Sequence, residues 1–405
     1  MSPVLCRGIF IVEMIIDKML KQDEKWMAMA LELAERAAGH TSPNPLVGAV
    51  IVRDGEVIGT GWHEYCGGLH AERNALADCC ERGNDPVGAT MYVTLEPCCH
   101  YGKTPPCTEA IIENRLGRVV YGAYDPNPAV AGKGLQILKD AGITVDGPVL
   151  NKECLDINEI FFHYITTGTP YVIMKYAMTA DGKIAAYTGD SRWVTGEKAR
   201  KHTHYTRKRV AAIMVGIGTV LSDDPMLNCR LDADMKRDGT PYEKPVDPVR
   251  VICDSSLRIP LDSQIVKTAG DIRTIAACLP AEEDDAEKLL KKSELEKAGV
   301  EILEIPPDKD GHVSLPILMQ CLGKEGLDSV LLEGGAELNF SALQSGIVNK
   351  LHVYIAPKLI GGVKAKSPVG GKGIPAMSDS IKLSRPKITA LDDDLLMEYT
   401  FVKQL

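Results

Sequence analysis

At 405 residues the chain is too long for one ordinary core and comfortable for two. Its hydrophobic fraction of 45% and charged fraction of 25% are those of a folded globular protein, so extended disorder is not expected. A net charge of -9 excludes a broad electrostatic footprint for nucleic acid, although a local phosphate pocket needs only two or three basic residues.

The stretch Ile9 to Leu20 is interrupted by Glu13 and Asp17, too short and too charged to span a bilayer. Residues 1–21 read as an extension, with Met14 or Met19 an alternative translation start. Twelve cysteines without a secretory signal in view suggest ligands or buried thiols more than a disulfide framework.

Trp26, Met29, Ala30, Leu33 and Ala37 recur at helical spacing and predict an amphipathic first helix, which Thr41-Ser-Pro-Asn-Pro45 breaks. Val47 to Val52 and Val57 to Gly61 predict strands about an Asp54-Gly55 hairpin turn. A helix over His70 to Glu81, a strand over Ala89 to Leu95, a strand over Val119 to Ala123 and a helix over Leu135 to Ala141 follow. Pro97 is placed to open a helix of its own. This alternation predicts a layered α/β domain over 22–148.

Val149 to Tyr164 predicts a connecting helix and Thr166 to Pro170 a hinge, so that 149–168 joins the first domain to a second over 169–405. That second domain carries predicted strands at Tyr171–Met174, Ala211–Val215, Val249–Cys253, Thr274–Ala277, Val330–Leu332 and Leu351–Ile355, with helices between most of them.

The chemistry gathers first at His70-Ala-Glu72 and Pro97-Cys98, with eight residues separating Cys98 from Cys107. One imidazole and two thiolates can hold zinc and leave a fourth tetrahedral position for water. Glu72, two residues from His70, is then the natural proton shuttle between water and a leaving amine. Placing Cys98 and Cys107 at helix starts would favour the thiolates. Zinc-deaminase signatures usually keep two residues between their cysteines, so the longer insert is a departure, and its Lys103 and Thr104 suggest an anionic substrate group. Two alternatives remain at this point: buried thiols beside a packed His70, or a structural zinc completed by Cys79, Cys80, Cys99 or His100.

In the second half, Lys175 to Lys183 leaves a strand for a turn, and Leu332-Glu-Gly-Gly-Ala336 leaves a strand for a helix, where glycines let backbone N–H groups approach a phosphate. No Gly-x-Gly-x-x-Gly fingerprint is present. Taken singly, Asp223-Asp224-Pro225 reads equally as a turn and Arg207 as part of a solvated basic helix, Lys198 to Arg209.

Thr41 to Val50, Gly61-Trp-His63, His70-Ala-Glu72, Glu96-Pro-Cys98, Gly102 to Cys107 and Asp125-Pro-Asn-Pro128 together resemble one family. It is the bifunctional diaminohydroxyphosphoribosylaminopyrimidine deaminase/5-amino-6-(5-phosphoribosylamino)uracil reductase of riboflavin biosynthesis. The resemblance runs from about Gln22 to the C-terminus. It implies a cytidine-deaminase-like three-layer α/β domain followed by a dihydrofolate-reductase-like α/β domain. His70, Cys98 and Cys107 would bind zinc, and Glu72 would be the acid/base. Asn44, His63, Lys103, Asp125 and Asn127 would contact the first substrate, although Asn44, Asp125 and Asn127 also suit their turns.

By the same resemblance Ala177, Trp193, Thr219, Asp223, Ser255, Gly335 and Ala336 would line an NADPH site. Ser191, Arg207, Leu227, Arg230 and Glu333 would line the second substrate site, with Lys175 near the sugar. Arg207 and Arg230 would grip its phosphate, and Lys175, Asp223 and Glu333 are candidates for polarising or protonating the reacting carbon, unranked at this stage. The expected partners are small phosphoribosyl-pyrimidines in the cytoplasm, with no nucleic acid and no membrane, and the chain is expected to form a dimer or tetramer. Competing readings are a nucleoside, nucleotide or tRNA deaminase with an unrelated second half, and a zinc-stabilised binding module.

Overall fold

The structure, a computed structural model, describes residues 20–101, 105–127, 130–232, 235–236, 239–240, 247–282 and 284–402. The expectations placed on residues 1–19 and on Lys103 lie outside them. The chain divides into two compact units, one running to Thr166 and the other starting at Thr167.

The first unit is built on a five-stranded sheet. Strands β1 (Gly48–Arg53) and β2 (Glu56–Trp62) form the expected hairpin, and both Asp54 and Gly55 take the positive φ that a tight turn between twisted strands requires. β3 (Thr90–Leu95), β4 (Arg118–Ala123) and β5 (Thr144–Asp146) complete the order β2-β1-β3-β4-β5, antiparallel on the hairpin side and parallel from β3 onwards.

Helix α1 (20–35) buries Trp26, Met27, Ala30, Leu33 and Ala34 against this sheet. It approaches β1 so closely that a Cβ on Gly48 would stand 1.9 Å from the Ala30 carbonyl oxygen. α2 (Ala71–Glu81), α3 (Cys107–Glu113) and α4 (Lys133–Asp140) follow in chain order. Pro97 does not open a helix: α3 starts at Cys107, and Cys98 lies in the loop before it. Cys98 is instead tied to the start of α3, its carbonyl accepting from Thr108 N at 3.2 Å.

The predicted connecting helix is two helices, α5 (Asn151–Ile157) and α6 (Glu159–Thr167). Asn158 separates them. Its side chain accepts from Leu46 N at 2.8 Å and donates to Leu46 O at 2.9 Å, which pins the joint to the Pro43–Pro45 loop.

The second unit holds a nine-stranded sheet. It comprises β6 (Tyr171–Thr179), β7 (Ala212–Gly216), β8 (Val249–Cys253), β9 (Thr274–Cys278), β10 (Glu301–Glu304), β11 (Ser329–Leu332), β12 (Val348–Ala356), β13 (Lys387–Leu391) and β14 (Asp394–Thr400). The order is β10-β9-β8-β7-β11-β6-β12-β14-β13, parallel through β12, with β14 and β13 antiparallel at one edge. Alternate residues of β7 feed opposite faces: Ala212 and Met214 join one apolar cluster, Ile213 and Val215 another. Both faces are therefore covered, as a parallel sheet requires. Its helices are α7 (Glu197–Arg209), α8 (Ile217–Asp223), α9 (Gln264–Lys267), α10 (Ala286–Lys297), α11 (Leu315–Lys324) and α12 (Ala336–Gln344), of which α7, α8 and α12 carry residues toward the strand ends considered next.

Candidate functional site

In the first unit, His70 immediately precedes α2 while Glu72 lies in the first helical turn, 3% exposed. Cys98 arrives on the loop after β3 and Cys107 begins α3. The His70 Nδ1 stands 3.4 Å from each sulfur, and Cys107 N donates to the Cys98 sulfur at 3.3 Å. Tetrahedral zinc bonds of ordinary length separate a nitrogen from a sulfur by about 3.5 Å, so this donor set fits the metal. Among the described residues no fourth protein group joins the cluster. Of the residues that could have completed a structural zinc, Cys79 is buried in the apolar core and Cys80 is exposed.

Hydrogen bonding from Cys107, helped by His70, brings the Cys98 thiol down to about 4 despite its burial. Cys107 is shifted up by sharing with Cys98 and by burial. Burial first, then the charge on Cys98, raises Glu72 and favours its protonated form.

A cavity of about 360 Å³ opens over this cluster. Asn44, His63, Asp125 and Asn127 line it, so four of the five expected substrate contacts converge there. His63 is 3% exposed, with Nδ1 3.0 Å from Leu69 O and Nε2 3.1 Å from the Asn44 amide nitrogen. A neutral ring donating at Nδ1 and accepting at Nε2 satisfies both contacts, and burial lowers its pKa accordingly. Asp125 accepts from Asn127 N at 2.8 Å, so it serves its own turn while facing the cavity, and burial raises its pKa.

Several contributors had no role assigned from sequence. Glu96, 3% exposed, accepts from Gly132 N at 2.9 Å and Gly134 N at 3.1 Å, tying the Asp125 loop and the start of α4 to the strand end that carries Cys98. Arg73 donates to the carbonyls of Pro105 and Pro106 and so fixes the approach to Cys107 from α2. Phe161, Tyr164 and Ile165 of α6 reach the cavity from a segment read only as a connector. A buried acid immediately before Pro-Cys, and apolar residues spaced by three and one on a short helix, were the available signals.

The second unit gathers a different knot. Lys175 projects from β6, and Glu333 follows the end of β11. The Glu333 carboxylate accepts from Arg207 Nε at 2.7 Å and Nη2 at 3.0 Å, with Lys175 Nζ at 3.9 Å. Burial opposes the charge on Glu333, but Arg207 and Lys175 outweigh it and hold the carboxyl at about 2. Burial lowers Lys175. The third arm of Arg207 donates to Asn228 O at 2.9 Å, so its whole fork is engaged within the protein and its helix face is not the solvated one.

Thr219 of α8 lies against the Gly334-Gly335 turn that opens α12 at Ala336. The turn has φ of 138° and 86°, and a Cβ on Gly334 would lie 3.3 Å from Thr219 Oγ1. Ala177 is two residues along β6 from Lys175 and so shares its face. Trp193 is exposed under the Arg200 guanidinium at 4.6 Å. Arg230 is exposed, its backbone N donating to His204 Nδ1, while Leu227 is buried in the core with φ of 49°. Ser191 lies in an exposed loop, Asp223 accepts from the neighbouring Ser222 hydroxyl, and Ser255 accepts from Val313 N. None of these three hydrogen-bonds to the Lys175–Arg207–Glu333 knot.

Residues 20–123 match the cytidine and deoxycytidylate deaminase zinc-binding region, and residues 170–397 match the RibD C-terminal domain. The riboflavin biosynthesis protein RibD of Actinobacillus pleuropneumoniae is 49% identical over 383 residues, covering 95% of this chain and 96% of that one. The chain belongs to the RibD family. RibD of Escherichia coli strain K12 is 40% identical over 342 residues, covering 84% and 89% of the two chains. A solved RibD structure from Acinetobacter baumannii has a TM-score of 0.80 at 37% identity, covering 95% and 100%. That from Thermotoga maritima, a diaminohydroxyphosphoribosylaminopyrimidine deaminase/5-amino-6-(5-phosphoribosylamino)uracil reductase, has a TM-score of 0.79 at 34% identity, covering 95% and 99%.

As a RibD-family member the chain is a bifunctional enzyme of riboflavin biosynthesis, a hydrolytic deaminase and a reductase. Zinc serves the first activity and NADPH the second. The two α/β folds expected in tandem, cytidine-deaminase-like and then dihydrofolate-reductase-like, are those found. No helix among the described residues is long and apolar enough to cross a membrane.

Proposed function

We propose that residues 22–148 carry the deaminase machinery and 169–405 the reductase machinery, with 149–168 between them. The observation that supports this most is the His70, Cys98 and Cys107 cluster with buried Glu72 at the floor of the cavity. In this reading the three residues hold zinc, which when bound is a Lewis acid that makes water a better nucleophile. Glu72 takes the proton from that water and delivers it to the departing amine, so water oxygen replaces nitrogen on the pyrimidine and ammonia leaves. Asn44, His63, Asp125 and Asn127, joined by Lys103, orient the ring and the phosphoribosyl group.

In the second unit NADPH, when bound, would be the source of the hydride for reduction at the sugar C1, and the protein must supply a proton to the ring oxygen as the ribose opens. Glu333 is held ionised and is a poor donor at neutral pH. Asp223 is exposed, and among the described residues its hydrogen-bond partner is its neighbour Ser222. Lys175, a buried cation with a lowered pKa, is therefore the donor we favour. The Gly335-Ala336 turn with Thr219 suits the cofactor's phosphates, with Ala177, Trp193, Asp223 and Ser255 as the further cofactor contacts. Ser191, Leu227 and Arg230 belong to the substrate side, where Arg207 orients Glu333. We place the enzyme in the cytoplasm as a homo-oligomer.

The test is to incubate zinc-loaded protein with the diaminopyrimidine phosphoriboside, with and without NADPH. Ammonia release without cofactor, followed by NADPH oxidation on the released product, is expected. Failure of both signals with zinc bound would refute the assignment.

A further inference from the structure

Helix α6, Glu-Ile-Phe-Phe-His-Tyr-Ile-Thr-Thr, contains no fully buried residue although more than half of its side chains are apolar or aromatic. Phe161 and Phe162 pack on the core of the first unit. Phe161, Tyr164 and Ile165, spaced i, i+3 and i+4, form one helical stripe, and all three line the cavity above Glu72. The same cavity is lined by the hydrogen-bonding side chains of Asn44 and Asp125, with Pro45, Val47 and Leu95 adding further apolar surface. Apolar surface combined with a few polar groups is how a site holds a flat heteroaromatic ring, by its faces and by its edges. The stripe is also held in register with Asn44. Asn158, at the start of α6, bonds both backbone groups of Leu46, two residues beyond Asn44.

We propose that α6 is a substrate-recognition wall of the deaminase, with Phe161, Tyr164 and Ile165 supplying the apolar surface against which the pyrimidine and the start of its sugar lie. The segment that joins the two catalytic domains thus belongs to the first site. This rests on the deaminase reading above and adds the residues that select the substrate rather than transform it.

The test uses the full chain, loaded with zinc, as Tyr164→Ala, Phe161→Ala and Ile165→Gln, the last chosen because Ile165 is 38% exposed and tolerates a polar side chain. Deamination is followed by ammonia release over a range of the diaminopyrimidine phosphoriboside, and reduction by NADPH oxidation on separately supplied uracil product. The expected result is a KM for deamination raised about tenfold, roughly 1.4 kcal/mol of binding, in at least two of the variants. The kcat for deamination, the zinc content and the reductase rate should stay near those of the parent. Unchanged KM in Ile165→Gln and Tyr164→Ala, with the reductase intact, overturns the proposal. A fall in kcat or zinc content at constant KM also overturns it, because the helix would then support the catalytic cluster rather than the substrate. Failure of the parent itself to release ammonia would instead refute the deaminase reading.

Discussion

Glu72 is buried beside the His70, Cys98 and Cys107 cluster, and in the proposed deaminase it carries the proton from water to the departing amine. Replacing it by glutamine keeps the shape and removes the transferable proton. Glu72→Gln is expected to lower kcat for ammonia release by about 10²–10⁴-fold. Metal analysis should find zinc retained, and loss of zinc in parallel would make Glu72 a support for the metal rather than an acid/base. Glu333 offers a second test. Its folded-state pKa of about 2 lies below the ordinary 4.5, so the ion pair stabilises fully above about pH 4.5 and loses that contribution as pH falls toward 2. The difference in urea midpoint between the parent and Glu333→Gln should therefore be wide at pH 7 and narrow as pH falls from 4.5 toward 2. A difference that does not vary with pH would mean that Glu333 is not charged in the folded protein. His70, Glu72 and the two cysteines could be read from sequence because the chemistry demands those residue types in order. The partnership of Arg207 with Glu333 could not, since 126 positions separate them and only the sheet brings them together.

Elements place these side chains by close approach. Glu96 accepts from the amides of Gly132 and Gly134 between β4 and α4. Hydrogen bonds to a charged acceptor contribute about 1.5–3 kcal/mol each. Glu96→Ala should therefore release the Asp125 turn and lower kcat/KM for deamination by about tenfold or more, while the reductase rate on supplied product is unaffected. Equal kcat/KM in the variant would show that the turn holds its shape without the carboxylate. Glycine 48 makes the complementary case. Gly48→Ala drives a methyl into the Ala30 carbonyl, and overpacking of this kind costs about 1–3 kcal/mol, to be read as a lower melting transition for the first unit.

The strands with long apolar runs and the amphipathic first helix were legible because their periodicity reflects burial. β5, β10 and the β13–β14 edge were not, because short or half-exposed strands such as Glu301–Glu304 carry no sustained pattern. Asn158 was invisible for another reason: a helix break made by a side chain bonded to distant backbone leaves no glycine or proline behind.

At the scale of the whole molecule, each unit has its own core and its own cluster of reactive groups. Stripping zinc with a chelator should accordingly abolish ammonia release while leaving NADPH oxidation on supplied product within about twofold, and recovery on adding zinc would complete the test. Parallel loss of both activities would mean that the metal supports the whole fold.

The order of strands in the larger sheet has a consequence for how the protein is made. β11, flanked by β6 and β7, is the centre of that sheet, yet it is encoded after β10. While the ribosome is still upstream of Ser329, β6 and β7 have emerged with a vacant slot between them, and their apolar edges have no partner. The smaller sheet, complete by Asp146, faces no such wait. A message truncated between these two points would yield a folded deaminase half trailing an unclosed sheet, an aggregation hazard that the full-length chain outgrows only near its end.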